Sequence, residues 1–189
     1  QSLMPRLRIL WIHNNQNRQS GSFMWDLEQA FCSIDNVEIE QFVVPVRPRI
    51  RDVVEIAKSV RKYSKEFDIV HAQYGSFVGL CALASQRPTI VSLRGSDIYG
   101  NGSWRFSSIA GGVARVLCSL VAAAFSGAVI VMSDRMRSRL SWLLPWRRRD
   151  IHVIQDPAAQ SLWDMRSQGD EQCLESPVAK IIFASLNKD

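Results

Sequence analysis

Lysine is scarce in this chain: of its 23 basic residues 18 are Arg and 5 are Lys. Arginine suits planar, bidentate contact with phosphates or carboxylates, although a base-composition bias in the gene gives the same excess. Cysteine is sparse as well. Cys32, Cys81, Cys118 and Cys173 are scattered, with no CxxC and no His at ligand spacing, which excludes a disulfide framework and a zinc site. All four lie in or beside apolar runs and read as buried, reduced thiols. A GxGxxG loop is missing, which argues against a dinucleotide oxidoreductase, and no repeat of fixed period occurs. No signal peptide is visible, and residues 1–3, ahead of Met4, read as a vector-derived remnant outside the fold. The one candidate membrane span, 109–132, holds Arg115, Gly111, Gly112 and Gly127 and ends in the β-branched run Ala128 to Met132. It reads as a buried crossover helix followed by a buried strand.

The composition is that of a globular chain, 47% hydrophobic and 22% charged over 189 residues, enough for one sizeable core and a remnant. The net charge of +5 is uneven. Residues 1–150 carry 20 Lys and Arg against 12 Asp and Glu, and residues 151–189 carry 3 against 6. Strands are expected at 7–12, 37–44, 69–71, 89–93, 128–132 and 151–154. Helices are expected from Gly21 and Ser22 to Phe31, and over 52–63, 77–84, 108–125 and 134–143. Strict alternation of the two implies an α/β fold, a Rossmann-like, doubly wound parallel sheet with right-handed crossovers. After Pro157 the chain turns polar and acidic. Residues 4–157 therefore form the main domain, 158–178 a connector, and 179–189 the first strand of a second domain. The strand at 179–185 is expected to pack on its own domain or to add to a neighbour's sheet edge.

Two strand ends carry the chemistry. Asp68 to Gly75 and Ser92 to Asp97 each run from a buried strand into polar residues and a glycine, at the carboxyl edge of a parallel sheet, where open α/β folds bind ligands. Arg94 and Asp97 are the candidate catalytic residues. Arg94 cannot exchange a proton at neutral pH, so its role there is electrostatic, unless it pairs with Asp97 and only pins the turn. His71 is chemically fit for acid or base work, or is a hydrogen-bonded spacer at the end of a buried strand. Gly75 and Gly95 are expected to serve close backbone approach or positive φ.

These motifs resemble the amino-terminal domain of group-1 glycosyltransferases of the GT-B fold, which use nucleotide-sugar donors and retain anomeric configuration. Members show Asp-Ile-(Val/Ile)-His-Ala-His at the third strand and Thr-x-His-Gly-x-Asp after the next. They also have a Ser opening the helix after the fifth strand, and Val-Ile-Pro-Asn-Gly-Val-Asp at the domain junction. Asp68 to Gln73, Ser92 to Asp97, Ser133 to Leu140 and Val153 to Pro157 correspond here.

The resemblance implies an active-site cleft between two domains. The amino-terminal domain binds the saccharide or lipid-linked acceptor, and the missing carboxyl-terminal domain binds the nucleotide-sugar, a co-substrate; no other cofactor is expected. On that basis Asn14, Asn15, Gly21, Ser22, His71, Gln73, Tyr74, Gly75, Gly95 and Ser96 are candidate substrate-binding residues, and the fragment alone is expected to be inactive. Departures matter too. Arg94 stands in place of the family His, Gln73 in place of a second His, which removes a metal pair, and the amide-rich loop from Asn14 lacks the family's glycine pair. The junction lacks its Asn-Gly turn. A non-catalytic sugar-binding module, or another GT-B-like enzyme such as an epimerase or phosphorylase, is the alternative.

Trp142 and Trp146 beside Arg147, Arg148 and Arg149 form a candidate membrane-surface anchor for anionic lipid. The competing reading is a helix end with the indoles packed inward and the arginines solvated near the carbonyl terminus. Nucleic acid is not an expected partner, because aromatics and cations are not interleaved. The expected place is the cytoplasm, at the inner face of the membrane if the anchor holds.

Overall fold

The computed structural model describes residues 6–14, 34, 36–45, 50–99 and 106–155, with the side chains of 50 and 106–110 excepted. The expected helix from Gly21, the connector 158–178 and the strand at 179–185 lie outside the described residues. Six strands form one parallel sheet: β1 (Leu7–His13), β2 (Val37–Val43), β3 (Ile69–Ala72), β4 (Thr89–Leu93), β5 (Ala128–Val131) and β6 (Ile151–Val153). Their order is β2-β1-β3-β4-β5-β6. Among the described residues five helices intervene: α1 (Ile50–Tyr63), α2 (Ser76–Leu83), α3 (Gly95–Tyr99), α4 (Phe106–Phe125) and α5 (Asp134–Leu143). Short 3₁₀ turns follow at Ser64–Glu66 and Pro145–Asp150.

Strand order reverses between β1 and β3, and it is at the carboxyl edge of such a switch point that open α/β sheets hold their ligands. From β2 onward every crossover moves in one direction. Right-handed connection then sends all the intervening helices to one face. The packing agrees: Val60 of α1, Val78 and Ala82 of α2, Ile98 of α3, Ala122 and Ala123 of α4, and Met136 and Leu140 of α5 share a core with Leu10, Ile12, Val70, Ala72, Val91, Leu93, Val129 and Val131. The strand residues between these point the other way. Ile9, Trp11, Ile69, Ile90, Ala128 and Ile130 make a second buried cluster on the opposite face. Burial on both sides is why β5 reads as an unbroken apolar run, and β3 and β4 as largely apolar ones, rather than alternating.

Local chemistry fixes the ends. Ser133 caps α5, its hydroxyl accepting from the Met136 N–H at 3.3 Å, and Asp134 in the first turn suits the helix dipole. Asp68 works at the amino edge of the sheet. Its carboxylate accepts the Arg8 backbone N–H at 2.8 Å and its own N–H donates to the Arg8 carbonyl at 2.9 Å, locking the start of β1 to β3. Arg8 in turn lies over the Phe67 ring at 4.9 Å. Cys81 is buried in α2, and that burial pushes its thiol up to about 12, so it is inert packing. One element departs from expectation: the residues after β4 form the short helix α3, not a bare turn. No helix among the described residues is long and apolar enough to cross a membrane.

Helices α2 and α4 pack closely because Gly79 lacks a side chain. A Cβ there would lie 2.7 Å from the Ala122 Cβ. Gly79→Ala is therefore expected to cost about 1–3 kcal/mol, read as a lower denaturant midpoint. Gly111→Ala, at an exposed helical position with open space, is expected to be neutral or stabilising by up to about 1 kcal/mol. Equal effects of the two substitutions would refute the packing account.

Candidate functional site

Strand parity gathers the polar residues of the carboxyl edge on the face opposite the helices. Trp11 of β1 lies in register with His71 of β3 and with Gln41 of β2. The Trp11 Nε1–H donates to His71 Nδ1 at 3.1 Å, and His71 Nε2 meets Ser92 Oγ of β4 at 2.8 Å. An indole can only donate, so Nδ1 must accept and the His71 proton resides on Nε2, donated to Ser92. Gln73 Nε2 approaches the same Nδ1 at 3.4 Å. One lattice of side chains thus joins β1, β3 and β4. Beside it His13 Nε2 meets Gln41 Oε1 at 3.1 Å, extending the polar row to β2.

His71 is held neutral. Burial first, and the nearby Arg94 charge second, lower its pKa from 6.5 to about 3. With both ring nitrogens engaged and the ring buried, it acts as a spacer that orders the edge rather than as an acid or base. Gln73 is also fully buried, and its Oε1 has no hydrogen-bond partner among the described residues. A buried acceptor left open is costly, so this oxygen marks the point of the edge most in want of a donor.

The ends of β3 and β4 are joined by a carboxylate. Asp97, on α3, is buried, and its Oδ2 accepts the backbone N–H groups of Arg94 at 2.9 Å and Gly75 at 3.2 Å. Burial raises its pKa, while those two donors and the charges of Arg115 and Arg94 act in the opposite sense. The turn is pinned, but through the Arg94 backbone rather than its guanidinium. That group points across the edge instead, Nη1–H donating to Met132 Sδ just beyond β5 at 3.0 Å. A thioether is a weak acceptor, so this contact serves to position the guanidinium. Arg94 is half-buried, and Gly95 and Ser96 beside it are exposed.

The loop after β3 is strained and tightly packed. Ser76 has φ of 46°, an unusual value for a residue with a side chain. Its N–H donates to the buried Ser119 hydroxyl of α4 at 2.7 Å, and that hydroxyl donates to the Arg115 carbonyl at 2.9 Å. A Cβ on Gly75 would stand 2.4 Å from Ser119 Oγ and 2.7 Å from Leu93 Cδ2, so only glycine fits.

The structure thus brings His71, Gln73, Gly75, Arg94 and Asp97 to one edge, with half-buried Asn14 at the end of β1. Several expectations need correction. Tyr74 packs against the helical core, because it has the opposite parity to Gln73. A Cβ on Gly95 would meet no atom within 4 Å, and its φ is not positive, so no packing against the described residues and no backbone conformation requires glycine there. Arg147 is not a surface cation: its guanidinium donates to the Ser126 carbonyl and, at 3.3 Å, to that of Gly127, and pairs with Asp150 at 3.1 Å. Trp142 and Trp146 are 80% and 69% exposed, so the indoles do not pack inward. Asn15, Gly21 and Ser22 lie outside the described residues. Trp11, His13 and Gln41 also belong to the edge, and the sequence alone does not mark them; their strand parity is readable, their cross-strand register is not. Among the described residues no group of three His, Cys, Asp or Glu could hold a metal ion.

The chain belongs to Glycosyltransferase Family 4, whose profile matches residues 15–157. No curated protein matches it. Among solved structures it is similar to the UDP-N-acetylglucosamine 2-epimerase from Rickettsia bellii, at 14% identity and a TM-score of 0.52. The match covers 94% of this chain and 51% of that one, so the chain spans about half the length of the solved structure. At that identity the likeness is one of fold. The sheet and helices described above are a Rossmann-like half of a GT-B architecture.

Two outcomes test this geometry. As pH falls from 6.5 toward 3 the unfolded chain takes up a proton at His71 that the folded chain refuses, so this group withdraws stability over that window. The raised Asp97 has the opposite sign, favouring the fold at low pH and losing that contribution as pH rises through its folded value. His71→Gln should therefore flatten the acid decline in urea midpoint while lowering stability at neutral pH; an unchanged slope would refute the assignment. Gly75→Ala should cost about 1–3 kcal/mol and Gly95→Ala less than about 0.5 kcal/mol, measured by thermal or urea unfolding.

Proposed function

We propose that this chain is the acceptor-side half of a glycosyltransferase that moves a sugar from a nucleotide-sugar to a saccharide or lipid-linked acceptor with retention. The observation that carries the reading is the Arg94 guanidinium, held over the carboxyl edge between the ends of β4 and β5 and flanked by exposed Gly95 and Ser96. Arg94 supplies positive charge to a donor phosphate as the glycosidic bond to it breaks. Open space at Gly95 lets a ligand approach the backbone. Gln73 Oε1 accepts a substrate hydroxyl once the loops at the rim move aside on binding. Asp97 holds Arg94 in place and does not itself exchange protons with substrate. Membership of Glycosyltransferase Family 4 supports the reaction class, and coverage of half the epimerase structure is what one half of a two-domain fold would give.

A second reading has its own observation. His71, Asp97 and His13, titratable groups of the edge, are all engaged in internal hydrogen bonds, as suits a sugar-binding module without chemistry. Turnover of a panel of nucleotide-sugars by the full-length natural protein separates the two. The transferase reading expects turnover of at least one donor, and a loss of about 10²–10³ in kcat for Arg94→Ala with an unchanged unfolding midpoint. Sugar binding without turnover of any donor would establish the module instead.

A further inference from the structure

The outward side of the helical layer carries a feature that the edge does not use. Along α4, Val113, Leu117, Val121 and Phe125 recur every four residues and are 54%, 56%, 44% and 76% exposed. The opposite side of the same helix is buried through Ser119, Ala122 and Ala123. Spacing of four keeps the outer residues on one stripe, about 18 Å long at 1.5 Å per residue. A row of large apolar side chains in water is not the ordinary outer face of a crossover helix.

The end of this stripe joins the basic segment. Arg147 fastens the Pro145–Asp150 turn to the carbonyls of Ser126 and Gly127, immediately after Phe125. The turn presents Trp146, and α5 just before it presents Trp142, both largely exposed. Over residues 134–150 five arginines are exposed, Arg135, Arg137, Arg139, Arg148 and Arg149, against one exposed carboxylate, Asp134. A groove of about 550 Å³ lies there, lined by Asp134, Arg137, Ser138, Ser141, Trp142, Pro145 and Arg148. Two guanidiniums and two hydroxyls against the single Asp134 carboxylate leave the hollow with a cationic excess that suits a phosphate group.

We propose that this side of the helical layer docks on an anionic lipid bilayer. The α4 stripe lies parallel to the surface with its side chains in the acyl boundary. Trp142 and Trp146 take the headgroup level, and Arg148 with Arg137 holds a lipid phosphate in the groove. Charge complementarity selects the occupant, since a purely apolar partner would leave the arginines unanswered, whereas an anionic bilayer answers both the apolar stripe and the cations. Arg147 has no part in lipid contact; it sets the angle of the turn. The proposal does not depend on which reading of the carboxyl edge holds.

Flotation of the chain with vesicles of phosphatidylcholine alone, and of phosphatidylcholine with phosphatidylglycerol, tests it. Binding is expected to the anionic vesicles and not to the neutral ones, and to weaken with added salt. Arg148→Ala with Arg149→Ala should reduce partitioning about thirtyfold, at about one decade per 1.4 kcal/mol and about 1 kcal/mol per cation. Leu117→Ser with Phe125→Ser should reduce it about tenfold or more, with the fold checked by circular dichroism. Arg147→Ala should lower stability and leave the affinity of the folded protein unchanged. Absence of flotation, or flotation indifferent to both pairs, overturns the proposal. So does a concentration-dependent dimer that dissociates in the Leu117→Ser, Phe125→Ser variant and does not float, for then a second copy is the occupant.

Discussion

A single buried carboxylate holds the working edge together. Asp97 accepts from the backbone of Gly75 after β3 and of Arg94 after β4, and so fixes the distance between two strand ends that the ladder no longer controls. Everything nearby follows from that clamp. Gly75 can be drawn in only because it has no Cβ to strike Ser119 and Leu93, and Ser76 is carried to a positive φ as the chain leaves it. The Ser119 hydroxyl then meets the Ser76 N–H, so α4 supports the same loop from below. The position of Arg94 is thereby set by its backbone, which leaves its side chain available to reach across to Met132.

The same economy separates the two faces of the sheet. One face carries the helices and an almost wholly aliphatic core; the other carries an apolar patch and, toward the carboxyl ends, a row of hydrogen-bonded polar side chains. Burying polar groups is tolerable only where partners are near, and here each strand supplies the partner for its neighbour. Parallel register sets Trp11 directly beside His71, while Ser92, two residues beyond the register partner Ile90, meets the His71 ring diagonally on the same face.

Much of this is legible in the residues. Thr89–Leu93 follows Pro88, and Asp134–Leu143 follows a capping Ser, so both are readable to the residue. Alternation of strand and helix gives the class of fold. The short α3 is not readable, because five residues are too few to show a period and Arg94-Gly95 has the composition of a turn. At the site, Arg94, Asp97, His71 and Gln73 stand out through their place at strand ends. Trp11 and His13 do not, because nothing local tells which residue of β1 will face His71. Nor can a run of three arginines reveal which one turns inward; the 3₁₀ geometry after Pro145 decides that Arg147 does.

The chain of hydrogen bonds from Trp11 through His71 to Ser92 has a mechanical consequence. Backbone ladders already tie β1, β3 and β4, and this side-chain brace adds a second set of ties across the same three strands. A wall braced twice resists shear between its strands. Any adjustment to a ligand must then be taken up by the loops at its rim or by rotation of the whole wall as one body, so movement here is that of a door on its hinge and not of a yielding panel.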